Sequence, residues 1–167
     1  WREALEELGL APRIIVMVRN PLDVAASLQR RNQFPPTKSA LLWLAHLIAV
    51  ERDSRDLPRV FVSYDELLRN WRKSLGRAER TLGLRLPGWN DDAAMEIDIL
   101  LSESKRHFAS DATALRSRAD FPTWIAAAYD WALAAAAEHR PDSAILDGIA
   151  SDFHSAADVF APVLAFE

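Results

Sequence analysis

A chain of 167 residues can bury one core of ordinary size, or form a piece of a larger domain. Half of its residues are hydrophobic and 26% are charged, a balance that excludes a disordered chain. The net charge of −4 excludes a general nucleic-acid-coating surface, and the lack of cysteine excludes disulfides, thiolate metal sites and thiol nucleophiles. The chain opens on Trp1, and Trp1 to Leu8 has the pattern of a helix stopped by Gly9. A helix at the very first residue leads to the expectation that a longer protein contains this chain.

Arg13 to Val18 is a continuous apolar run, rich in β-branched residues, set between Pro12 and Arg19-Asn20-Pro21. Such a run predicts a fully buried strand of a parallel sheet. Leu22 to Arg31 predicts a helix with Val24, Ala25 and Leu28 on one face, Asn20 as its cap and Pro21 in its first position. Asn32 to Thr37, with Pro35-Pro36, predicts a loop. Ser39 to Arg55 predicts a long helix broken by Leu57-Pro58. Its apolar part, Ser39 to Val50, is far short of the ~20 residues that a membrane span needs, so no transmembrane segment is expected.

Arg59 to Tyr64 predicts the second buried strand. Asp65 and Glu66 then open a helix, where the dipole favours acids. Trp71 to Leu82 predicts a helix stopped by Gly83, followed by a loop to Trp89 and a helix over Asp91 to Leu101. Ser102 to Asp120 carries no clear pattern. Phe121 to His139 predicts an Ala-rich helix, and Pro141 to about Phe160 a last one. Two buried strands joined by a helical crossover predict an α/β fold. Its parallel sheet is flanked by helices, incomplete at the N-terminus, and followed by an α-rich half. The expected organisation is one domain over 1–167, with an α/β portion over 1–87 and a helical portion over 88–167.

The chemistry-bearing stretch is Arg19 to Ser27. Arg19 ends a buried strand, and ligands of open α/β sheets sit beyond the carboxyl ends of the strands. A guanidinium fork suits a phosphate, and Ser27, one and a half turns into the next helix, can add a hydroxyl donor. Ala11 to Ser39 carries five cations against Asp23 alone, so an anionic ligand is the expected partner. A structural alternative stands beside this one, in which Arg19 pairs with a neighbouring acid.

Arg19-Asn20-Pro21-Leu22-Asp23-Val24-Ala25-Ala26-Ser27 resembles the 3′-phosphate-binding segment of the sulfotransferases that use 3′-phosphoadenosine 5′-phosphosulfate (PAPS). Val60 to Leu68, an apolar strand ending in Tyr64 and an acidic pair, resembles that family's next segment, and Leu82-Gly83-Leu84 before Pro87 fits its pattern. Ser102 to His107 resembles, more weakly, a stretch of bacterial members. The resemblance implies a P-loop nucleotide-transferase-like fold and a cytoplasmic enzyme with no metal. It implies that Arg19 and Ser27 bind the 3′-phosphate of the donor PAPS, and that Tyr64 lies near the adenine. The acceptor would be a hydroxyl of a small molecule, carbohydrate or lipid. The family's 5′-phosphosulfate loop and its usual catalytic base precede this segment and are not in this sequence, so the catalytic residue is unassigned.

Gly83 and Gly88 have Walker spacing, but Trp89-Asn90 follow in place of Lys-Ser/Thr and a helix precedes them, so the match is rejected. His46, His107, Arg116 and Arg118 are weaker site candidates. Asp91, Asp92, Glu96 and Asp98 are better explained as helix-start acids than as a cation site. Two other readings stay open. One is a non-catalytic helical or nucleotide-binding interaction module. The other is a P-loop kinase-like phosphotransferase in which Arg19 is a structural strand end.

Overall fold

A computed structural model describes residues 2–87, 90–104 and 112–164. The elements in chain order are α1 (Arg2–Glu7), β1 (Ile14–Val18), α2 (Pro21–Asn32), α3 (Pro36–Asp53), β2 (Arg59–Ser63), α4 (Tyr64–Arg69), α5 (Trp71–Leu82), α6 (Asp91–Ser104), α7 (Ala112–Arg116), α8 (Thr123–Ala136) and α9 (Ser143–Leu164). The fold is mixed α/β and mostly helical. Among the described residues the sheet has two strands, β1 and β2, paired in parallel with Ile14 opposite Arg59 and Val18 opposite Ser63.

Local chemistry sets most boundaries. The Asn20 side chain accepts from the Leu22 amide at 2.9 Å, and Pro21 takes the first position of α2. The expected loop from Asn32 to Thr37 is shorter than its sequence suggests. Gln33 closes α2 in the left-handed region, and α3 already begins at Pro36, whose fixed φ suits a first turn. Tyr64 belongs to a helix rather than to the strand, because the Ser63 hydroxyl accepts from the Glu66 amide and starts α4 there. Asn70 ends α4 and caps α5, accepting from the Lys73 amide at 3.0 Å. Gly83 closes α5 with a φ of 62°, so its role is that of a helix stop. The patternless stretch between Ser102 and Asp120 contains the short α7.

The main core lies on one face of the sheet. Val16 and Val18 of β1 and Phe61 of β2 pack against α3 and α8 there, with Leu44, Ile48 and Ile125 buried between them. Ala128 and Ala132 of α8 are fully buried, and their small side chains let that helix come close. Trp131 meets Phe61 edge to face at 5.5 Å, and its indole N–H donates to the Asp142 carbonyl at 2.9 Å. On the other face Val60 and Val62 pack against Ala78 and Leu82 of α5, while Ile15 and Met17 of β1 are exposed. Arg77 ties these layers together: its guanidinium donates to the carbonyl of Phe61 and to that of Ala136, at the end of α8. No helix among the described residues is long and apolar enough to cross a membrane.

Candidate functional site

The parallel register places the site. Val18 lies opposite Ser63, so the next residues of the two strands, Arg19 and Tyr64, emerge side by side at the carboxyl edge of the sheet. The Arg19 guanidinium carbon sits 4.8 Å from the Tyr64 ring centroid, in a cation–π stack. Beneath them Trp43 of α3 donates its indole N–H to the Arg19 carbonyl at 3.2 Å, which fixes the backbone where the strand turns. Trp43 in turn meets Tyr129 of α8 edge to face at 6.0 Å.

Two acids begin the two helices that leave this edge. Asp23 is buried in the first turn of α2, and Asp65 is partly buried in the first turn of α4. Burial, and then the nearby Asp23 charge, pushes the Asp65 carboxyl above the usual range, partly opposed by Arg69 and Arg19. Burial, then Asp65, Asp23 and Asp130, pushes the Tyr129 phenol up to about 12. Arg19, Asp23, Asp65 and Tyr129 therefore share one electrostatic neighbourhood.

Arg19 is half-buried, and its Nε is fully buried with no hydrogen-bond partner. Among the described residues no carboxylate lies within ion-pair distance of its guanidinium, so the structural alternative of an Arg19–acid pair is not what forms. An unsatisfied buried donor costs about 1–3 kcal/mol, and a native structure rarely holds one without a reason. A bound oxyanion would supply the missing acceptor.

Arg19 and Tyr64 are thus brought together. Ser27 is half-buried, one turn beyond Asp23 on α2, and no hydrogen bond joins it to Arg19 or, among the described residues, to any other group. Arg116 and Arg118 are engaged elsewhere, in ion pairs with Asp130 and Asp120 at 2.6 Å each. His46 is exposed, and its Nδ1 bonds the Leu42 carbonyl of its own helix. His107 lies outside the described residues. Asp91 and Asp92 stand in the first turn of α6, as expected, and Asp98 accepts from the Trp71 indole and from Arg72.

Trp43, Tyr129, Asp23 and Asp65 complete the site and were not legible as members of it. Trp43 is 24 residues from the carbonyl it binds, and only the packing of α3 and α8 on the sheet brings it and Tyr129 there. Comparison with family models, with curated proteins and with solved structures finds no match for the chain.

Proposed function

We propose that this chain forms the 3′-phosphate half of the donor site of a PAPS-dependent sulfotransferase. The observation that carries this reading is the buried, unpartnered Nε of Arg19 at the carboxyl edge of the parallel strands. Arg19 binds the 3′-phosphate with a charge-assisted hydrogen bond, worth about 1.5–3 kcal/mol. Tyr64 holds the guanidinium plane by stacking, and Trp43 holds the backbone beneath it. Ser27, with no internal hydrogen bond among the described residues, adds a hydroxyl donor from α2.

The reaction transfers a sulfuryl group. The acceptor hydroxyl attacks sulfur in line with the departing bridging oxygen of the nucleotide, and its proton passes to a base. Arg19, Ser27 and Tyr64 act at the far end of the donor, where they bind and orient it. The acceptor belongs to the hydroxyl-bearing small molecules, carbohydrates or lipids.

The test is discrimination by calorimetry between adenosine 3′,5′-bisphosphate and adenosine 5′-monophosphate. One extra phosphate held by Arg19 and Ser27 gives the bisphosphate at least a tenfold preference. Equal affinity for the two nucleotides, or ATP binding more tightly than the bisphosphate, overturns the reading.

A further inference from the structure

A second recess lies past the far end of α4 from Tyr64. Arg69, Lys73, Ser74 and Arg77 face Glu138, beyond the end of α8, across a space of about 380 Å³ that Glu66 also lines. It lies against the first turn of α5, a twelve-residue helix capped by Asn70, where the helix dipole favours negative charge. Arg77 is anchored by its bonds to the Phe61 and Ala136 carbonyls and forms a fixed cationic wall. Arg69 and Lys73 have no carboxylate within ion-pair distance among the described residues, although Glu66 and Glu138 stand at the rim.

The deciding residue is Ser74. It is only 6% exposed and lines the recess. A serine inside a helix commonly returns its proton to the carbonyl one turn back. Ser39 does so at 3.2 Å to Pro35, and Ser54 bonds the Val50 carbonyl in the same way. The Ser74 hydroxyl makes no hydrogen bond among the described residues. An unused hydroxyl on a buried serine therefore lines the recess together with Arg69 and Lys73, near the first turn of α5.

We propose that this recess is a second anion site, which takes a tetrahedral oxyanion of the phosphate or sulfate class. Lys73 and Arg69 supply the charge, and Ser74 supplies a directed donor. Glu66 and Glu138 leave the lining with an excess of one positive charge, so the affinity for a free ion is on the order of 1 mM. The site is separate from the one built on Arg19 and stands or falls independently of it.

Inorganic phosphate is titrated into the whole chain at constant ionic strength, against a chloride control, with the backbone amides followed by NMR. The amides of Lys73 and Ser74 shift saturably. Lys73→Gln and Ser74→Ala each weaken binding about five- to tenfold, Glu138→Gln strengthens it, and Arg19→Ala leaves it unchanged. The amide spectrum reports whether each variant is folded, and the exposed Lys73→Gln decides the matter if Ser74→Ala does not fold. Glucose 6-phosphate gives a parallel arm. Tighter binding of the ester points to a phosphorylated molecule as the natural source, and equal binding points to the free ion. Linear shifts without saturation, or saturable shifts that survive Lys73→Gln and Ser74→Ala, overturn the proposal.

Discussion

Replacement of Glu51 by alanine tests how the strand ends are held. Glu51 lies in the last turn of α3, is 1% exposed, and with Asp23 is one of two acidic residues buried among the described residues. Its oxygens accept from Arg55 at 2.7, 2.9 and 3.1 Å, and from Arg59 at 2.9 Å. Arg59 is the first residue of β2, so this cluster joins the crossover helix to the strand that delivers Tyr64. Loss of one partner from a buried pair costs about 3–5 kcal/mol, because the remaining charges stay buried. Here the lower end applies. The Arg55 side chain is 35% exposed and keeps Asp147, while that of Arg59, at 21%, loses its only carboxylate among the described residues. The gain in helix propensity from alanine is a few tenths of a kcal/mol and does not offset this. A loss of about 3 kcal/mol lowers Tm by roughly 6–12 °C in a chain of this size. Thermal unfolding followed by circular dichroism measures it. Glu51→Gln, which keeps volume and some hydrogen bonding, falls between. Asp53→Ala, which removes an exposed partner of Arg52, moves Tm by less than about 2 °C. A Glu51→Ala variant no less stable than Asp53→Ala would show that the buried carboxylate does not hold the strand end.

Two further outcomes follow from the packing of α8. Ala128→Leu places three extra carbons where no space exists and destabilises by about 1–3 kcal/mol in urea unfolding, whereas the same change at exposed Ala127 is near neutral. The Tyr129 phenol, raised to about 12 in the folded chain, contributes stability that is complete below its unfolded value of about 10 and is lost as pH rises towards 12. Wild type therefore loses stability between about pH 10 and 12 in urea titrations, and Tyr129→Phe loses less over that window. An identical pH dependence in the two proteins contradicts the burial of the Tyr129 phenol and its placement beside Asp65 and Asp23.

Much of this fold is written in short stretches of sequence. The two apolar runs, the Asn20-Pro21 start, the Gly83 stop and the long Ala-rich helix each depend on neighbours within a few residues. So does the placement of Arg19 at a strand end. The stack of Arg19 on Tyr64 was not legible, because it needs the register of β1 on β2. Trp43 and Tyr129 sit on helices whose patterning reports burial and does not report partners. The same holds for Arg77, which looks like any exposed cation of α5 and in fact caps α8. Arg116 and Arg118 show the converse. Their charge suggested a ligand, and acids fourteen and two residues away hold them instead.

The proposed donor site depends on the strand-end guanidinium of Arg19 as the ligand of a phosphate. Calorimetric titration of adenosine 3′,5′-bisphosphate into the wild-type chain and into Arg19→Ala tests it most directly. Wild type binds saturably and the variant loses about ten- to hundredfold in affinity, with Tm within a few degrees of wild type because the substitution removes a buried donor that has no partner when no ligand is present. Equal affinities in the two proteins would contradict it.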